Sequence, residues 1–174
     1  APVAFALYDD HSVCLAGRAL QSDGSFLGNT AILYEGAWLA IWRLEAGQGE
    51  DPDGLAANLV HEMFHAHQCL RGWTHWPDEL EGLRAPDAQA YEQARFREAQ
   101  SLCRAFAAWT AGAPGEAREC LRTLAAQRAA RQAFQETAMR YELRVETTEG
   151  SAEYCGLRAL QALAPERFAR RVAG

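Results

Sequence analysis

The sequence predicts an α+β fold: a small N-terminal antiparallel sheet over residues 1–45, followed by a mainly helical part over 51–174. Three observations predict it. Strand-forming runs separated by turn residues fill the first 45 positions; after Asp51 they give way to Ala, Leu, Glu and Arg at helical spacing; and strands first with helices after is the order of an α+β chain. The length of 174 residues and a hydrophobic content of 49% suit one core, so a single domain over 1–174 is expected.

Taken in order, the strand signals are Val3-Ala4-Phe5-Ala6-Leu7-Tyr8, Ala31-Ile32-Leu33-Tyr34 and Ala37-Trp38-Leu39-Ala40-Ile41-Trp42. Turn-formers at Asp9-Asp10, Ser22-Asp23-Gly24-Ser25 and Glu35-Gly36 separate them. Trp38 and Trp42 read as core anchors, the commoner fate of strand tryptophans. Asp51-Pro52 places an N-cap and a first-turn proline, and the helix they open is expected to run to Arg71, with Gly72 as the residue that ends it. A loop rich in Trp and acidic residues follows until Pro86-Asp87 caps a further helix, whose apolar stripe is Ala99, Leu102, Phe106 and Trp109 and whose end is Gly112-Ala113-Pro114-Gly115. Residues 116–163 stay helical in pattern, too long a run for one ordinary helix, so a break is expected before Gly150 and an end at Ala164-Pro165.

Charge and cysteine content narrow the function classes. The 17 basic residues, all Arg, and 23 acidic ones give a net charge of −6, which offers phosphate backbones no attraction; nucleic acid is not an expected partner. No run reaches the roughly 18 to 20 apolar residues that cross a bilayer, so no membrane anchor is expected within this sequence. Five scattered cysteines lack the paired spacing of a zinc ribbon and read for the most part as buried apolar residues. Compartment and oligomeric state stay open.

The chemistry lies in the first helix, where His61-Glu62-Met63-Phe64-His65 matches His-Glu-x-x-His. Two histidines four residues apart leave the same helix face one turn apart, so both can hold one tetrahedral ion. Glu62, about 100° further round, is free to face the open position and move a proton there. At this His and Glu content chance yields roughly 0.01 such matches per chain, which makes coincidence a poor account.

A hydrolytic zinc site takes a third protein ligand. The extended form of the motif fails, because Gln68 stands at its Gly position and Arg71 at its last His. His67, about 200° round the helix from His65, fails on geometry. A distant acid remains, and Glu142, Glu146, Glu149 and Glu153, at spacings of 4, 3 and 4, line one face of the later helix. Such a stripe calls for a positive partner, either a dication or arginines such as Arg140 and Arg144. Glu142 reads as part of a solvated acidic face, whereas Gly150 and Ala152 beside the other three suggest close approach of another helix.

These residues resemble a family. His61-Glu62-x-x-His65 followed by Thr148-Glu149-Gly150-Ser151-Ala152-Glu153-Tyr154 is similar to the gluzincin metallopeptidases, whose aminopeptidase branch carries Asn-Glu-Gly-x-Ala with its Glu as third zinc ligand. The match is fuller with uncharacterised bacterial zinc peptidases carrying His-Glu-x-Phe-His-x-x-Gln and Glu-Gly-x-Ala-Glu-Tyr-x-Gly. The resemblance implies a zincin-like metallopeptidase domain with Zn2+ held by His61, His65 and Glu149, and Glu62 as general base. It also implies that Glu153 orients a ligand His; Glu146, on the same face, is the other supporting carboxylate expected. Zincin folds line the cleft with an edge strand, here expected to be Gly36–Leu44, the strand before the motif helix. Thr148 departs from the Asn of the aminopeptidases, and the 84 residues between His65 and Glu149 place helices at 88–112 and 116–140 in between.

The expected function is zinc-dependent hydrolysis of peptide or protein substrates; the alternative is a catalytically inactive zinc-binding scaffold or partner-binding domain. A group to stabilise the oxyanion is left open among Tyr141, Tyr154, His67, His75 and Arg144.

Overall fold

A computed structural model describes residues 4–15, 17–21, 23–45, 51–82, 88–133 and 135–173. The expected cap at Pro86-Asp87 lies outside the described residues. The described chain is α+β, and its contacts divide it into two compact units, residues 1–76 with 146–174 and residues 77–145.

The first unit holds strands β1 (Ala4–Tyr8), β2 (Ser12–Leu15), β3 (Arg18–Gln21), β4 (Thr30–Tyr34) and β5 (Ala37–Arg43), helix α1 (Pro52–Leu70) and helix α6 (Pro165–Ala173). It also holds residues 146–163 of helix α5 (Glu136–Leu163). The strands form one sheet in the order β3-β2-β1-β5-β4. It is mixed, which corrects the expectation of an antiparallel sheet: β1–β2, β2–β3 and β4–β5 are antiparallel, but β1 and β5 run parallel, with Ala4 opposite Leu39 and Tyr8 opposite Arg43. Turns dictate local hairpins, whereas nothing local dictates how two hairpins meet. The signal that does exist is in β5 itself. Leu39, Ala40 and Ile41 are consecutive and all buried, the mark of a strand covered on both faces.

At the β4–β5 turn, Glu35 and Gly36 have φ of 48° and 79°, the left-handed pair that a two-residue hairpin needs. One sheet face packs Ala6, Tyr8, Val13, Leu39 and Ile41 under Phe26, and the Tyr8 hydroxyl donates to the Gly28 carbonyl at 2.8 Å. By strand alternation Trp38, Ala40 and Trp42 occupy the opposite face, where α1 packs against β5 and β4. Gly36–Leu44 is therefore no edge strand; β4 holds that edge. Trp38 and Trp42, read as core anchors, are partly buried there.

Helix α1 has the expected bounds. The Asp51 carboxylate accepts from the Gly54 amide at 2.8 Å, Pro52 opens the first turn, and Gly72 follows the last with φ 72°. Helix α6 was not expected, although Pro165, which ends α5, also opens α6 in the first-turn position that proline favours. Its Arg167 pairs with Asp51 at 2.5 Å and Asp53 at 3.4 Å.

The second unit holds the short helix α2 (Glu79–Gly82), α3 (Ala88–Thr110), α4 (Pro114–Gln132) and the first turns of α5. The break expected before Gly150 falls between Gln132 and Glu136. On α3 the expected stripe faces outward: Leu102, Phe106 and Trp109 are 51%, 58% and 68% exposed. Glu98, Ser101, Ala105 and Ala108 form the packed face instead, because small side chains let α3 and α4 lie close, with Ala117 and Cys120 buried from the α4 side. Arg131 is buried among carboxylates. It pairs with Glu98 at 2.8 Å and with Glu142 at 2.9 Å, and its guanidinium carbon lies 5.7 Å from the Tyr91 ring centre. Glu142 is thus part of a buried ion cluster and not of a solvated face.

All five cysteines are free thiols, and only Cys120 is buried, so the reading of most as buried residues is corrected. No helix of the described residues is long and apolar enough to cross a membrane.

Candidate metal centre

The first unit assembles its polar side chains where α1 meets the second half of α5. Periodicity brings them together: on α1, His61, His65 and Gln68 follow at four and three residues; on α5, Glu149 and Glu153 are one turn apart. Thr148, Ala152, Gly156 and Leu160, each four residues on from the last, form the buried side of this part of α5. The close approach expected at Gly150 occurs at Gly156. A Cβ on Gly150 would meet nothing within 4 Å, whereas one on Gly156 would stand 2.8 Å from the Ala57 carbonyl oxygen and 3.5 Å from the His61 Cβ.

Three ligand-capable atoms converge there. His61 Nε2 and His65 Nε2 are 3.0 Å apart, and Glu149 Oε2 lies 3.4 Å from the first and 3.2 Å from the second. Ligands at zinc's usual 2.0–2.1 Å in a tetrahedron stand about 3.3 Å from one another, so the triangle has the size of one tetrahedral face. Among the described residues these three side chains make up the one group of His, Cys, Asp and Glu close enough to hold an ion.

The surrounding hydrogen bonds fix what those atoms offer. Gln68 Nε2 donates to the Thr148 carbonyl at 3.5 Å, which turns Gln68 Oε1 toward His65 Nδ1 at 2.9 Å. An amide oxygen only accepts, so His65 donates from Nδ1, and in the neutral ring that leaves Nε2 as the lone-pair nitrogen. His61 Nδ1 faces Glu153 Oε2 at 3.4 Å, a carboxylate that favours the proton on the same ring position in neutral His61. Two imidazole lone pairs and a carboxylate oxygen within 3.4 Å repel one another unless a proton or a metal cation sits between them. Arg171 of α6 holds Glu153 from its other oxygen at 2.8 Å.

Glu62 is buried and lines the same cleft. Burial pushes its carboxyl above the usual carboxylate range and Glu149 adds to this, while His61 and His65 oppose it. The cleft is about 450 Å3, bounded by Asn29, Thr30 and Ala31 at β4, Trp38 of β5 and Trp76, besides His61, Glu62 and His65 of the motif, Cys69 and Glu149.

Other sequence candidates lie elsewhere. Glu146 is exposed and outside the converging group. Arg140 and Arg144 pair with Glu81 at 2.7 and 3.8 Å, and the Tyr141 hydroxyl donates to Glu79 at 2.9 Å, all within the second unit. His67, His75 and Tyr154 are exposed and are not among the residues that bound the cleft. Sequence reasoning missed Gln68 as the orienter of His65, although it closes the His-Glu-x-x-His-x-x-Gln pattern, and it missed the β4 wall, which depends on strand order. No family model matches this chain, and neither a curated protein nor a solved structure matches it.

Proposed function

We propose that the first unit carries a gluzincin-type zinc site and that the chain is a zinc-dependent hydrolase acting on peptide bonds. The observation that carries this reading is the convergence of His61 Nε2, His65 Nε2 and Glu149 Oε2 within 3.4 Å of one another. Two neutral imidazoles and one carboxylate are the donor set of hydrolytic zinc, with an open position left for water. Zinc held there supplies Lewis acidity, polarising a carbonyl and making a water easier to deprotonate.

The chain's own groups do the rest. His61, His65 and Glu149 hold the ion, with Gln68 and Glu153 fixing the two rings. Glu62, raised by burial, is a general base that takes a proton from the attacking water and then returns it to the leaving nitrogen. Peptide is favoured over other amides and esters because β4, the edge strand among the described residues, borders the cleft, and its outer side gives an extended chain backbone groups to bond.

Elemental analysis of natively purified protein tests the site, with about one zinc per chain expected for the wild type and a loss in Glu149→Ala. Glu62→Gln is expected to keep the metal and abolish cleavage of a peptide library. Zinc without cleavage of any peptide by the wild type points to the scaffold alternative. No zinc after metal is supplied removes the reading.

A further inference from the structure

Trp76 is 37% exposed, yet it is held in place. Its Nε1 donates to the Trp73 carbonyl at 3.0 Å, Trp73 Nε1 donates to Thr148 Oγ1 at 3.2 Å, and Thr148 Oγ1 donates to the His75 carbonyl at 3.3 Å. Thr148 is fully buried and precedes Glu149 directly, so the loop carrying Trp76 is fastened to the residue beside a candidate ligand. The Trp76 ring centre stands 6.1 Å from that of His65. Trp38 bounds the same cleft, directly opposite Leu33 across the β4–β5 pair, and Leu33 is 60% exposed on that face. A large apolar ring left in water and fixed there by hydrogen bonds is ready to be covered by a ligand.

The charges of the cleft point the same way. Among the described residues that bound it, Glu62 and Glu149 carry the formal charges and neither Arg nor Asp is present. Apart from the ion, whose charge these two carboxylates offset, an acidic substrate side chain finds no cationic side chain there to receive it. We infer that Trp38 and Trp76 form an aromatic subsite that selects substrates with an aromatic or large apolar side chain next to the reacting carbonyl and rejects acidic ones. This rests on the zinc-hydrolase reading and names its substrate class. Trp38 and Trp76 act as specificity residues, and Thr148 as the positioning residue that holds the Trp76 loop.

Two hydroxamic acids test it, identical in their metal-binding head and bearing either a benzyl or a carboxymethyl side chain. Binding to zinc-loaded protein is read by titration calorimetry, with zinc content measured on the same samples. The benzyl compound is expected to bind the wild type roughly tenfold or more tightly than the carboxymethyl one. Trp76→Ala and Trp38→Ala shrink that ratio toward one, while Trp76→Phe keeps most of it. Circular dichroism of each variant separates loss of the wall from loss of the fold. Zinc present without a side-chain preference in the wild type, or a preference that survives both alanine variants, overturns the subsite and leaves the zinc site standing. Absence of zinc overturns the reading beneath it, and the subsite with it.

Discussion

The largest fully buried side chain among the described residues is Arg131, 1% exposed, and a guanidinium so placed is tolerable only because Glu98 and Glu142 both answer it. Burial alone raises the Glu142 carboxyl. Hydrogen bonds from Arg131 and Tyr91, with the charges of Arg131 and Arg95, outweigh it and hold the group below its ordinary 4.5. The same cluster pushes the Tyr91 hydroxyl up to about 12, through burial first and then its bond to Glu142. Because the folded value of Glu142 lies below the unfolded one, its stabilisation is complete above the unfolded value of 4.5 and is lost as pH falls through the lower, folded value. Glu142→Gln is therefore expected to cost about 1–3 kcal/mol at pH 7. The wild-type advantage, measured by urea unfolding at several pH values, should shrink below pH 4.5. An advantage independent of pH would mean that Glu142 acts by packing alone. Its neighbours show what residue spacing conveys. Glu142, Glu146, Glu149 and Glu153 share one stripe by sequence, yet Arg131 claims the first, Glu146 is exposed, and His61 and His65 surround the last two. Periodicity selects a face; the partner on that face belongs to another element and is not written in the stripe.

At the scale of elements, the site depends on how near α5 comes to α1. Gly156 sets that distance, since its missing Cβ would stand 2.8 Å from the Ala57 carbonyl oxygen, and a backbone atom cannot swing aside as a long side chain can. In Gly156→Ala the helices must separate by a few tenths of an ångström, which moves Glu149 away from His61 and His65. The expected result is a loss of about 1–2 kcal/mol in urea unfolding and zinc affinity lowered roughly tenfold in chelator competition. Gly150→Ala is the control: its Cβ meets nothing, and replacing a helical glycine by alanine should stabilise by about 0.5–1 kcal/mol. If both variants behave alike, Gly156 does not set the spacing. The sequence motif pointed to the wrong glycine because both stand beside candidate site residues, and only the Thr148-Ala152-Gly156-Leu160 series tells which one faces inward. Element bounds were legible wherever the chain punctuates itself, as at Asp51-Pro52, Glu35-Gly36 and Gly72. The parallel β1–β5 pairing and the outward stripe of α3 were not, because both are settled by packing between distant segments.

For the whole molecule, the proposed metal binding would be coupled to folding. The three ligand-capable side chains come from positions 61, 65 and 149, so an unfolded chain offers no comparable site and any affinity of the folded form adds to its stability. At a free zinc concentration about a hundredfold above the dissociation constant, the gain is about 2.7 kcal/mol. For a chain of this size that corresponds to a rise in thermal midpoint of about 5–10 °C. The first unit reports it selectively, since Trp38, Trp42, Trp73 and Trp76 lie in it and only Trp109 lies in the second. A strong chelator should lower the midpoint read by tryptophan fluorescence by that amount, and added zinc should restore it. In Glu149→Ala, with the triangle opened, the chelator and zinc should leave the midpoint nearly unchanged. A wild-type midpoint indifferent to chelator and to added zinc would remove the zinc reading, and the two histidines would then be part of the packing between α1 and α5.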